Sequence, residues 1–254
     1  MKIKINLVFI ESMQALPKEI HQDENQLVIY RGNSYLFSLY KTDQIKSVFQ
    51  LSTDRVESYS KDPKPVVHSG RSVTFGSYKS VDELSWQPIK IHFENNQPFT
   101  RVASLERDIY LSLWGNIAVE ERWNVEHFGA RLRKGFSRFD LIRTGHRGNS
   151  VSSFHQFLPK EATDIYYRDV IGNISTSHVF PRKDGLIDFH ISPRFVMFGG
   201  WKVIFKTGYN LPISSFLNVS SSGDYILRSN LYDSIDNYPI DSLTVRVILP
   251  EGST

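Results

Sequence analysis

The 254-residue chain is 40% hydrophobic and 13% aromatic, enough apolar material to fill one large core or two ordinary ones. Its formal charge of +3 is too small, averaged over the whole length, to mark a nucleic-acid or membrane-surface binder, and the absence of cysteine excludes disulfides and thiolate zinc sites. No run approaches the ~18 apolar residues of a spanning helix, so none is expected.

The opening MKIKINLVFI holds only four consecutive apolar residues, too few for a signal-peptide core, and reads as a strand. Period-two alternation then recurs. Ile45, Ser47, Phe49 and Leu51 form one such row, Ile109, Leu111 and Leu113 a second. Gly115-Asn116 reads as a hairpin turn, after which Ile117, Val119, Trp123 and Val125 share a face. Short helical patterning is confined to residues 159 to 166. Further rows follow at Ile187, Phe189, Ile191 and at Leu243, Val245, Val247, Leu249. The polar cluster in ENNQPFTRVAS, residues 94 to 104, marks a junction, and we place a domain boundary near residue 103. The expected fold is mainly β, with antiparallel sheets in two tandem sandwich-like domains, 1–103 and 104–254.

Three segments are candidates for chemistry. ARLRKGFSRFDLIRTGHRG, residues 130 to 148, carries six Lys/Arg against the single Asp140. Its Phe136 and Phe139 are three apart, so on a strand they would point to opposite faces, unlike the paired aromatics of an RNA-binding strand. The segment is read as an exposed loop or edge hairpin serving protein contacts, and no nucleic-acid partner is expected. Asp188 and His190 lie i, i+2 on one strand, and Glu120, Glu121 and Asp169 offer further carboxylates for a metal or hydrolytic site. They alternate with Ile187, Phe189 and Ile191, however, as the wet face of a half-buried strand does. His127, His146, His155 and His178 are scattered along the chain. No His-x-x-x-His, Gly-x-Ser-x-Gly or phosphate loop occurs, so no catalytic residue, metal or cofactor is expected.

Two glycosylation sequons, Asn173-Ile174-Ser175 and Asn218-Val219-Ser220, are about the number that chance supplies in a chain with this content of Asn, Ser and Thr. Gly172 before Asn173 predicts an exposed turn, whereas Phe216, Leu217 and Val219 draw Asn218 toward a core. Gly199-Gly200-Trp201 interrupts an apolar stretch. We read the glycines as a structural turn and Trp201 as a core anchor rather than a glycan or peptide platform.

SLWGNIAVEE, GFSRFD, DIYYRDVIGNISTSH, PRFVMFGGWKVIFKTGYNLP and IDSLTVRVILPEG, in this order, resemble the luminal region of the ribophorin I family, subunits of the oligosaccharyltransferase complex. Weaker likeness through RVESYS and IHFENNQPF extends the resemblance over nearly the whole chain. It implies a noncatalytic partner, in the endoplasmic reticulum, of the complex that moves a preassembled oligosaccharide from dolichyl diphosphate to Asn-x-Ser/Thr of nascent chains. The chemistry then belongs to another subunit. The implied partners are the other subunits, the catalytic one included, and the nascent polypeptide. The family's signal peptide, membrane-spanning helix and cytosolic tail have no counterpart in these residues, which therefore read as an internal luminal fragment. It would start within the first luminal domain, truncated on its N-terminal side, and stop within the second, truncated on its C-terminal side, with the membrane reached only through a helix outside the chain. The competing expectation is a free-standing secreted β-sandwich that binds glycan or protein.

Overall fold

A computed structural model describes residues 4–112, 114–145 and 148–253. Half of the chain lies in strands and 4% in helices, so the fold is mainly β as composition and alternation predict. The opening residues differ from expectation. Residues 4 to 10 form no strand, since no neighbouring strand offers them a ladder, and Ile5, Leu7, Val8, Phe9 and Ile10 are exposed.

The chain divides into two compact units, residues 1–98 with 129–149, and residues 99–128 with 150–254. A boundary near residue 103 between two continuous domains is the expectation from sequence. Residue 103 instead lies inside a twelve-residue strand, and the chain turns back into the first unit at Gly129. Its anchor there is the buried Gln26, whose Nε2 donates to the Asn95 carbonyl at 2.9 Å while its Oε1 accepts the Ala130 N–H at 2.8 Å. Through Gln26, which also donates to the Gln97 carbonyl at 3.2 Å, the polar residues 95–97 serve as a clasp for the returning segment.

In chain order the first unit contains β1 (Met13–Ala15), β2 (Glu19–Ile20), β3 (Leu27–Asn33), β4 (Thr42–Gln50), β5 (Val56–Tyr59), β6 (Val66–Ser69), β7 (Ser72–Val81) and β8 (Pro88–Glu94). A four-stranded sheet runs β1-β3-β8-β5 and a three-stranded sheet β4-β7-β6. Their inner rows, Val28, Ile89, Ile91 and Phe93 on one and Ile45, Val73 and Phe75 on the other, are buried. Phe49 is the bridge, with its ring 5.5 Å from Tyr30 and 5.6 Å from Phe75.

The second unit opens with the hairpin β9 (Thr100–Leu111) and β10 (Asn116–His127). Gly115 takes φ 96° in its turn, and the Ser112 N–H donates to the Asn116 carbonyl at 3.0 Å. Leu113, assigned to the second alternating row, lies outside the described residues. After the hairpin the chain returns to the first unit for β11 (Arg131–Leu132), which pairs in parallel with β2, and for α1 (Arg138–Thr144). The second unit then continues with β12 (Phe154–Pro159), β13 (Thr163–Asp169), β14 (His178–Pro181), β15 (Leu186–Ile191), β16 (Lys202–Pro212), α2 (Ile213–Phe216), β17 (Leu217–Val219), β18 (Tyr225–Leu227) and β19 (Leu243–Ile248).

A five-stranded sheet, β13-β16-β10-β9-β19, packs on the three-stranded sheet β12-β15-β14 through one core. All its pairings are antiparallel except that of β19 with β9. Trp123 at its centre is fully buried, lies across from Leu105 and Phe205, and donates from Nε1 to Thr207 Oγ1 at 2.9 Å. From the facing sheet, Phe154 stacks on Phe205 at 5.6 Å. The helical patterning placed at 159 to 166 is corrected: β12 and β13 occupy that stretch, joined by a turn that the Ala162 N–H closes onto the Pro159 carbonyl at 3.0 Å. Partners distant in sequence, β15 and β16, supply the ladders that override the local pattern. Among the described residues no helix is long and apolar enough to cross a membrane.

Candidate functional site

Among the described residues, one cluster of ionisable groups lies buried inside the second unit. Ile117, Val119, Glu121, Trp123 and Val125 all point inward from β10, while Leu105, Arg107 and Ile109 do so from β9. Antiparallel register sets Glu121 directly across from Arg107. The Arg107 guanidinium donates to Glu121 and, at 2.7 Å, to Asp233 Oδ2; it also donates to the Tyr209 hydroxyl at 3.1 Å. Tyr209 in turn donates to Asp233, and the Gln156 amide donates to Glu121. Arg107, Glu121 and Asp233 are each no more than 2% exposed.

One cation and two carboxylates buried together leave an excess negative charge, which favours a proton on the cluster. Burial first and the Asp233 charge second push the Glu121 carboxyl up to about 7, against the opposing pull of Arg107. Burial works against the Arg107 charge too, but Glu121 and Asp233 hold its pKa above the ordinary value. The Gln156 amide oxygen is buried without a partner, so turning that amide over would give a protonated Glu121 an acceptor. With its charges buried, this arrangement can pin the segment carrying Asp233 into the sandwich.

The carboxylates that the sequence nominated are not brought together. Glu121 belongs to the buried network just described. Its neighbour Glu120 faces outward, accepts from Tyr166 at 3.0 Å and pairs with Lys206. Asp169 is bound by Arg194, whose hydrogen bond holds its carboxyl below the usual range. Asp188 accepts from His155 Nδ1 at 3.0 Å. The histidines that look scattered along the chain are partly gathered by register: His155, His190 and His178 form one row across β12, β15 and β14. The rings of His155 and His190 stack at 4.8 Å. Asp236 joins them by accepting the His155 N–H at 3.0 Å, and burial raises its pKa. Among the described residues no three such groups converge as a metal site. His146 and Arg147 lie outside the described residues.

Asn173 is exposed beside Gly172, at φ 150°, and its side-chain oxygen accepts from Arg168 Nε at 2.9 Å. The Asp169 carboxylate caps the preceding turn through the N–H groups of Ile171 and Gly172, both at 2.9 Å. Asn218 on β17 is exposed as well, with Val219, because β17 and β18 form a small ribbon of their own. In the Gly199-Gly200-Trp201 stretch, the Trp201 N–H closes a four-residue turn onto the Phe198 carbonyl at 3.0 Å. Gly200 occupies its third position at φ 82°, and Gly199 is buried. Trp201 is half-buried, 5.5 Å from the Phe198 ring and 5.8 Å from that of Phe195, and packs on the flank of the core whose centre Trp123 holds. The basic segment takes a short parallel strand and a helix, where the sequence suggested a loop or edge hairpin. Ser137 caps that helix by accepting the Asp140 N–H at 3.1 Å, a signal legible as Ser before a periodic apolar run.

Comparison with known proteins follows from the whole chain rather than from one site. The ribophorin I family pattern matches residues 1–254. The chain is similar to the Caenorhabditis elegans dolichyl-diphosphooligosaccharide–protein glycosyltransferase subunit 1, with 39% identity covering 98% of this chain and 43% of that protein. Subunit 1B of Oryza sativa is 35% identical over 99% of this chain and 53% of its own length, and subunit 1A of Arabidopsis thaliana 37% identical over 99% and 41%. The chain thus spans about half the length of these relatives.

Proposed function

Because the chain belongs to the ribophorin I family, we propose that it is a noncatalytic luminal part of an oligosaccharyltransferase subunit in the endoplasmic reticulum. It acts as scaffold or substrate-presenting surface while a partner subunit transfers the preassembled oligosaccharide from dolichyl diphosphate to Asn-x-Ser/Thr of a nascent protein. The observation that carries this reading is the family match from residue 1 to 254, together with relatives named as subunit 1 of that glycosyltransferase. The state of the nominated carboxylates supports the noncatalytic role. Glu120, Glu121, Asp169 and Asp188 are each engaged by a neighbouring Lys, Arg, Tyr, Gln or His side chain, in four separate places. The exposed Asn173 turn supports a luminal location, because a glycan acceptor must project into water.

The test has two arms. The purified chain is expected to transfer no glycan to an acceptor peptide, while the tagged full-length precursor co-purifies with transferase activity. Transfer by the chain alone, or a precursor that never associates with that activity, removes the reading. In a secretory host, intact mass is expected to drop by one glycan in Asn173→Gln relative to wild type, and equal masses would show the site unoccupied.

A further inference from the structure

The basic segment of the first unit, expected from sequence to serve protein contacts, forms a surface whose occupant the proposed role leaves open. α1 is held in place at its start, where Gln22 accepts the Ser137 N–H at 2.9 Å and donates to the Ser137 carbonyl at 3.0 Å. Two large apolar side chains stand three residues apart on this clamped helix, hence on one face, and both protrude: Phe139 is 73% exposed and Ile142 76%. Arg131, Arg133, Lys134, Arg138 and Arg143 lie within eleven positions of them along the chain, all exposed, with Asp140 the single acid in sequence between Arg131 and Arg143. Arg131 meets Glu19 at 3.5 Å, and Arg143 meets Asp140 at 3.4 Å and Asp23 at 4.0 Å. Arg133 donates to the Glu19 backbone carbonyl at 3.1 Å, and Arg133, Lys134 and Arg138 have no carboxylate partner among the described residues.

We infer that this face docks the chain on the anionic surface of a lipid bilayer, with Phe139 and Ile142 entering the headgroup boundary and Lys134 and Arg138 meeting lipid phosphates. Charge sets the sign of the occupant: five cations meet the three acids Glu19, Asp23 and Asp140, and three of the cations lack a carboxylate partner among the described residues. Relief sets its class. The apolar pair stands out from a helix instead of lining a groove, so a folded partner would have to supply a matching pocket, whereas a fluid boundary accepts protruding side chains of any shape. The long stems of Lys134 and Arg138 let their charges stay at phosphate level while the Phe139 ring sits deeper. Complex membership is a separate matter, decided by co-purification, and a failure here would leave it untouched.

The experiment is flotation of the whole chain with vesicles of phosphatidylcholine, alone or mixed with phosphatidylserine. Wild type is expected to float with the mixed vesicles, less so as salt rises, and only weakly with the neutral ones. Each of Lys134→Ser and Arg138→Ser is expected to lower partitioning about fivefold. Phe139→Ser combined with Ile142→Ser lowers it about tenfold or more. Thermal melting of all the variants checks that these exposed substitutions leave the fold intact. Equal binding to both vesicle types, variants that partition like wild type, or preference for a soluble poly-glutamate chain over the mixed vesicles would overturn the proposal.

Discussion

Glu121 and Arg107 face each other across β9 and β10 where an alternating row would otherwise place two aliphatic side chains. A buried ion network of this kind stabilises little relative to an apolar core, but removing one member strands the rest. Arg107→Met leaves Glu121 and Asp233 buried without their cation, and is expected to cost about 3–5 kcal/mol in denaturant unfolding. Glu121→Gln keeps the shape and removes the charge. Its effect is read from pH: the Glu121 carboxyl goes from an ordinary 4.5 to about 7 on folding. The folded state therefore holds a proton that the unfolded chain has released, and this contribution is fully present below 4.5 and lost as pH rises through about 7. Wild-type stability is expected to fall across that window, and Glu121→Gln to flatten the fall. An unchanged slope in the variant would show that another group carries it.

At the scale of elements, the turn before β16 is the most local piece of design in the second unit. Gly200 holds φ 82°, a conformation that costs a side-chain-bearing residue about 1–2 kcal/mol. Gly200→Ala is expected to lower stability by that amount, measured as an earlier unfolding midpoint with an unchanged slope. The consequence reaches β10 as well, because the Gly200 N–H donates to the His127 carbonyl at 2.6 Å and the His127 N–H to the Trp201 carbonyl at 3.0 Å. Ser137 shows the same logic on the helical side. Ser137→Ala removes the acceptor for the Asp140 N–H and is expected to cost about 0.5–2 kcal/mol.

For the molecule as a whole, the order of elements along the chain differs from their grouping in space. The first unit is completed by residues 129–149, and the second begins with a strand at Thr100. Fragments 1–103 and 104–254 are therefore both incomplete. The first loses the Ala130 N–H that caps Gln26, and the second loses Thr100 to Ala103 from β9. Neither fragment is expected to show the cooperative thermal transition of the whole chain by circular dichroism, and a sharp transition in either would argue against this division.

By itself the sequence determined the strands with clear alternation, because alternation is a property of neighbours along the chain: Ile117, Val119, Trp123 and Val125 had to share a face whatever lay across from them. The hairpin at Gly115 and the turn at Gly200 were equally local, since positive φ selects glycine wherever it is needed. The inward position of Glu121 was legible too, as a charge in the middle of that apolar row, and so was Arg107 between Leu105 and Ile109. What only the tertiary structure decided was which strands meet. Asp233 reaches Arg107 across 126 positions of sequence, and His155 reaches Asp188 across 33. Register and sheet order arise from packing two faces together, and no periodicity along one strand encodes its partner. The strands at 154–159 and 163–169 and the return of residues 129–149 to the first unit were hidden for the same reason: each depends on ladders or hydrogen bonds donated by segments far away in the chain.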